Sequence, residues 1–227
     1  MEKRHKKTLA RTLRCGAACV KISLIAILFI PGLVTVTLLS PKAKKPGFPQ
    51  GVERAAKAPR ELVKIYSIVK AHRPDVSDGE AWKVSEVILE QSSKHSFDPM
   101  LVLAMIQVES GFQSAAVSPA GARGIMQLLP DVAKDLLPKI SPIQEAKPQP
   151  FKPEYLDDPV LNIKLGVYYL HDLRNNFRNL NLALIAYNLG PTEIRNRLDN
   201  KIELSEDYST AVLAAYRNYK NAKPPLF

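Results

Sequence analysis

Between Met100 and Val108 the chain sets down eight apolar residues and a single polar one, Gln107. A helix apolar on nearly every face belongs inside a core. Asp98-Pro99 ahead of this run supplies an N-cap acceptor and a proline at the first helical position, and Gly111 behind it supplies a stop. The pattern therefore predicts an interior helix that ends by presenting Glu109 and Ser110. Elsewhere the pattern is amphipathic. Leu62, Ile65 and Val69 predict a short helix over 61–71, and Ser77-x-x-Glu80 is a capping box for a helix running to about Ser93. Asp158-Pro159 opens a helix through Asn176, Leu180 to Tyr187 reads as a short buried one, and Glu206 to Asn221 as the last. The domain is expected to be all-α. Residues 138–153 hold five prolines. They are expected to form a loop, since proline breaks helix and sheet ladders alike. A long loop inside a compact domain suits a lid or a contact site.

Ahead of these helices the pattern changes. Residues 1–14 carry six Lys/Arg, and Ile22 to Leu39 are 18 residues without a charge. A basic start before an apolar run is a secretory signal or a signal anchor. The run is near the minimum that spans a bilayer. Pro41 follows directly on the small residue Ser40, a poor context for cleavage, so an uncleaved anchor over 15–40 is favoured. The denser basic cluster lies on its N-terminal side, which keeps that end in the cytoplasm and exports the rest. The expected location is the inner membrane, with the domain in the periplasm, or the periplasm alone if the signal is cleaved. Residues 41–60, with four prolines, two glycines and six Lys/Arg, read as a linker to a domain over 61–227.

Charge follows the same division. The net +10 of the 227 residues resides in residues 1–60, where 13 Lys/Arg face 2 Asp/Glu; residues 61–227 hold 19 and 20. A nearly neutral domain argues against a nucleic-acid partner, which calls for a basic face. Cys15 and Cys19 are the two cysteines, so no disulfide supports the domain. Trp82 falls among apolar helical positions and reads as core. His95 has no clustered partners and reads as a surface residue; no metal site and no cofactor are expected.

The candidate chemistry lies at Glu109. A carboxylate is unfavourable at a helix C-terminus, and apolar neighbours such as Met105, Ile106 and Val108 penalise it further. Both effects keep the acid protonated, as a general acid near neutral pH requires. The plainer alternative is a surface glutamate that ends a helix.

Two further segments bear on that choice. Glu109-Ser110 is followed by Gly121 to Gln127 (GARGIMQ) and, much later, by Ala186 to Pro191 (AYNLGP). The ordered set resembles the catalytic domain of the SLT-type lytic transglycosylases, over roughly residues 80–220. The resemblance implies a goose-type-lysozyme-like helical fold, an enzyme, and peptidoglycan glycan strands as substrate. It implies Glu109 as the catalytic acid and Ser110, Gly124, Met126, Gln127, Tyr187, Asn188 and Tyr208 as groove residues. The Leu204-Ser205-Glu206 that precedes Tyr208 departs from the family's usual Glu-Thr-Arg. Asn162-Ile163 and Gly166-x-x-Tyr169-Leu170 also resemble the family, as supports behind the groove. Most glycosidases use two carboxylates. The family is expected to use one, acid and then base, so that the sugar's own C6 hydroxyl attacks C1 and a 1,6-anhydromuramic end forms. A lysozyme-like hydrolase and a silent peptidoglycan-binding scaffold are the alternative readings. A partner in the cell-envelope machinery is a further expectation.

Overall fold

The computed structural model describes residues 59–140 and 150–222. Eight α-helices follow one another there: α1 (Arg60–His72), α2 (Asp78–Lys94), α3 (Pro99–Ser110), α4 (Pro130–Ile140), α5 (Pro159–Phe177), α6 (Leu180–Leu189), α7 (Pro191–Asp199) and α8 (Asp207–Asn221). A 3-10 turn, Pro153–Asp157, precedes α5. Among the described residues there is no strand, only isolated bridges from Arg123 to Val117 and to Leu128.

Local chemistry sets the helix starts. Ser77 Oγ accepts from the Glu80 amide at 3.2 Å, Asp98 Oδ1 from Met100 at 2.9 Å, and Asp158 Oδ1 from Val160 at 2.9 Å. Each side chain satisfies an amide that the first helical turn leaves without a partner. Asn179 does the same for α6 through the Leu182 amide, at 3.0 Å.

Every residue of α3 from Pro99 to Ile106 is buried. Around it pack α1, α2 and α8, with α5 and α6 behind α2 and α8. α8 is fastened to both ends of α3. Tyr216 Oη donates to Asp98 Oδ2 at 3.0 Å and Lys220 also donates to it, while Tyr208 meets Glu109 at the other end. Trp82 is core, 1% exposed and stacked on Tyr66 with centroids 4.5 Å apart.

Three sequence expectations change. His95 is buried, not a surface residue: its ring lies 4.8 Å from that of His171 and edge-on to Tyr168 at 5.7 Å. The helical neighbour that buries it is 76 positions away, beyond the reach of a local pattern. The proline-rich stretch is not loop throughout. α4 continues through Pro138 to Ile140, and Pro153 begins the 3-10 turn. In the last turn of α4 a proline forfeits only the bond to Lys134, and at a first helical position it forfeits none. Residues 141–149, the basic segment 1–14, the anchor over 15–40, and residues 41–58 of the linker expected over 41–60 lie outside the described residues. Third, the sequence pattern does not predict α4 or α7. α7 buries only Ile194, so it shows no apolar stripe. Among the described residues no helix is long and apolar enough to cross a membrane.

Candidate active site

The C-terminal end of α3 opens into a cleft of about 450 Å³. Glu109 lies on its wall with Gln127, Tyr187 and Asn188, four of the residues singled out in the sequence. Tyr169, Ser118, Leu129 and Val132 complete much of the lining. Glu109 is the one carboxyl among the described residues lining this cleft.

Burial pushes the Glu109 carboxyl up from 4.5 to about 7, against the opposing pull of the hydrogen bond from Tyr208. Tyr208 Oη donates to Glu109 Oε1 from α8, 99 residues away. The unusual Leu204-Ser205-Glu206 before it does not displace this tyrosine. Glu206 Oε1 instead accepts from Asn181 Nδ2 at 3.0 Å, which ties the start of α8 to α6. The hydroxyls of Tyr208 and Tyr187 are both pushed well above 10, first by burial and then by the nearby Glu109 charge. Both phenols therefore stay neutral donors at physiological pH.

The glycine-rich segment is a tight loop laid over α5. Gly124 has φ +83°, in the left-handed region, and a Cβ there would meet Asn162 Nδ2 at 2.1 Å and the Leu156 carbonyl at 2.2 Å. Only glycine allows that approach. Asn162, fully buried, accepts from the Met126 amide at 2.8 Å and donates to the carbonyls of Arg123 and Leu156, both at 3.0 Å. Gln127 Nε2 donates to the carbonyls of Ala116 and Gly124, at 3.0 and 2.9 Å, so its amide nitrogen braces the loop. Arg123 grips Asp157 through two bonds, of 3.2 and 2.7 Å, and anchors the loop to the 3-10 turn.

Not all the expected groove residues reach the cleft. Met126 has no exposed surface and packs on Gly166, where a Cβ would stand 2.6 Å from its sulfur. Its contribution is a backbone carbonyl, which accepts from Tyr187 Oη at 3.0 Å. Gly124 is buried beneath the loop. Ser110 turns away to donate to the Ile125 carbonyl at 2.7 Å, linking α3 to the loop. Asn188 is exposed at the rim and makes no side-chain hydrogen bond among the described residues. Tyr169, expected from the resemblance as a support behind the groove, lines the cleft itself, its ring 5.2 Å from that of Tyr187. The signal lay in Gly166-x-x-Tyr169. A glycine that admits Met126 draws α5 against the loop, and the tyrosine one turn on meets the cleft. Among the described residues no cluster of three His, Cys, Asp or Glu is placed to hold a metal ion.

An all-helical, lysozyme-like domain with one half-buried carboxyl at the end of its central helix defines the class. The sequence model of the transglycosylase SLT domain matches residues 86–210, more than half of the chain, and the chain belongs to that family. Among curated relatives it is 33% identical over 132 residues to the membrane-bound lytic murein transglycosylase C of Mannheimia succiniciproducens, covering 54% of this chain and 36% of that one. It is 38% identical over 112 residues to the protein of the same name from Klebsiella pneumoniae, covering 49% and 30%. The chain thus spans about a third of the length of the curated relatives it matches. Among solved structures, the 70 kDa soluble lytic transglycosylase of Escherichia coli shares the fold, with a TM-score of 0.53 at 22% identity over 77% of this chain and 31% of that one. The 70 kDa soluble lytic transglycosylase in complex with bulgecin A gives the same TM-score at 21% identity, over 78% and 33%.

Proposed function

We propose that the domain is a lytic transglycosylase that cleaves the β-1,4 bond between N-acetylmuramic acid and N-acetylglucosamine in peptidoglycan, without water. The observation that carries this reading is the solitary carboxyl. Glu109, held up at about 7, is the one acid among the described residues of the cleft. A two-carboxylate mechanism needs a second acid about 5–10 Å away across the scissile bond. A single acid of this pKa can serve both steps near neutrality. Protonated Glu109 gives its proton to the glycosidic oxygen as the bond to C1 breaks. The carboxylate left behind takes the proton of the C6 hydroxyl as that oxygen bonds to C1. Glu109 is thereby reset, and the muramic end closes as a 1,6-anhydro sugar.

Tyr208 orients the carboxyl and supports its charge between the two steps. Gln127, Tyr187, Asn188 and Tyr169 face the sugars, while Ser110, Gly124 and Met126 hold the loop against α3 and α5. Relatives named membrane-bound fit a location in the cell envelope. We place the domain in the periplasm, carried by an anchor over residues 15–40.

The test is digestion of purified peptidoglycan by the full chain, with the products read by mass spectrometry and Glu109→Gln as control. Anhydromuramic ends that vanish in the variant are the expected result. Reducing ends formed with water would make the domain a hydrolase, and an absence of cleavage would leave it a binding module.

A further inference from the structure

The backbone directly after the Glu109-Ser110 pair is strained. Gly111 and Phe112 are both left-handed, at φ 57° and 68°. Glycine adopts that conformation freely, whereas a bulky residue does so only when its surroundings impose it. Phe112 is 1% exposed, and the end of α1 supplies one side of its surroundings, with Ala81 and Val84 of α2 and Ile125 of the loop nearby. Arg73 Nη1 donates to the Phe112 carbonyl at 2.9 Å. Its Nε and Nη2 are occupied by Asp75, at 2.9 and 2.7 Å, which fixes the direction of the guanidinium fork. The His72 ring stacks on the Phe112 ring, with centroids 4.4 Å apart and planes 13° from parallel. His72 Nε2 also shares a hydrogen bond of 2.6 Å with Tyr219 Oη on α8, the helix that supplies Tyr208. One corner of α1 therefore touches both elements that place the carboxyl: the turn that ends α3 and the helix that carries its hydrogen-bond donor. Neither His72 nor Arg73 lies within the family-matched residues 86–210.

We propose that Arg73 and His72 are positioning residues for Glu109, holding the left-handed Phe112 turn that decides where α3 stops and so where the carboxyl sits beside Tyr208. The proposal rests on Glu109 being the reacting acid. Without the Arg73 donor the turn relaxes and the last residues of α3 fray. Water then reaches a carboxyl that now faces Tyr208 and Tyr187. A misplacement of about 1 Å in a positioned acid costs on the order of a hundredfold in turnover.

The experiment compares the full chain with Arg73→Ala, Arg73→Lys and His72→Ala, using thermal melts to establish the folded fraction. The carboxyl carbon of Glu109 is titrated by NMR after selective glutamate labelling, and its signal is identified by its loss in Glu109→Gln. In Arg73→Ala and in His72→Ala the titration is expected to fall from about 7 towards the ordinary carboxylate range, with kcat reduced and KM little changed. Arg73→Lys, which keeps a donor for the Phe112 carbonyl, is expected to restore most of both. Loss of a positive charge alone would move the titration upward, so the direction separates a relaxed turn from simple electrostatics. A titration that stays put or rises overturns the proposal, as does a loss of kcat that merely follows the unfolded fraction. If Arg73→Ala does not fold, Arg73→Met keeps the stem and removes the donors together with their charge, and the direction of the titration separates the two as before. If the wild-type chain leaves peptidoglycan intact, the functional reading fails while the carboxyl titration still decides the positioning role.

Discussion

Replacing Glu109 by glutamine is expected to stabilise the protein, and to do so only above acid pH. The carboxyl ionises near 4.5 in an unfolded chain and at about 7 in the folded one, where burial penalises the charged form. Below the unfolded value the group is neutral in both states, and the wild type has its full stability. As pH rises from about 4.5 to about 7 the unfolded state releases its proton first, so stability falls; above the folded value the loss is constant. A shift of this size is worth about 3 kcal/mol, and the open cleft side of the carboxyl reduces that to about 2 kcal/mol by solvent screening. Glutamine has no such penalty and still offers Tyr208 an acceptor. The two groups facing the carboxyl, Tyr208 and Tyr187, have hydroxyls pushed well above 10 and stay neutral throughout this range. The variant and the wild type should therefore have nearly equal stability at about pH 4 and separate by about 2 kcal/mol at about pH 8, some 4–8 °C in Tm. Guanidinium unfolding of both proteins across that range measures the difference directly. A constant difference at every pH, or a variant less stable at the alkaline end, would refute a buried, elevated carboxyl.

Three other substitutions probe the frame around it. Gly124→Ala places a methyl group against Asn162 and Leu156 at a left-handed position, and should cost about 3–5 kcal/mol from backbone strain plus displaced buried hydrogen bonds. Chemical denaturation measures it, and a loss below about 1 kcal/mol would mean the loop shifts freely. Asn162→Ala strips partners from the Met126 amide and from the carbonyls of Arg123 and Leu156; a loss of about 3 kcal/mol in the same assay is expected, and a neutral outcome would show the loop braced elsewhere. Tyr208→Phe removes the donor that holds the Glu109 titration down, so the carboxyl should titrate higher still and the pH optimum of cleavage should move to the alkaline side, with turnover reduced roughly tenfold. A shift towards acid would contradict the assigned hydrogen bond.

What the chain discloses without its structure is mostly local chemistry. The starts at Ser77, Asp98 and Asp158 are legible because the capping side chain and the amide it serves lie two or three residues apart. Glu109 is legible for the same reason: apolar neighbours, a helix end and a glycine stop all fall within a few positions of it. Long-range placements are not legible in this way. Tyr208 reaches Glu109 from 99 residues away, and its local context departs from the family pattern, yet the Asn181–Glu206 bond seats the start of α8 regardless. His95 is hidden by α5, and no pattern near it announces His171. Pro138 is tolerated in α4 because it falls where the helix is already ending. α7 escapes notice because one buried residue, Ile194, makes no period.

The same division bears on how the site works. Gln127 donates its amide nitrogen to its own loop, Ser110 its hydroxyl to that loop, and Tyr187 its hydroxyl to Met126. These polar groups cannot lend those protons to a ligand without unfastening the cleft. Those bonds brace the cleft, and on the proposed mechanism, in which one acid makes two proton transfers from one position, a rigid cleft is what the site requires. α3 meets this demand through its packing. It is buried along most of its length and fastened to α8 through Asp98 at one end and Glu109 at the other. A slip of one helical turn, about 5.4 Å, would break both attachments at once. The carboxyl is therefore placed by the packed interior and not by a flexible loop, so its geometry is set before any ligand arrives, the condition under which electrostatic stabilisation costs no reorganisation.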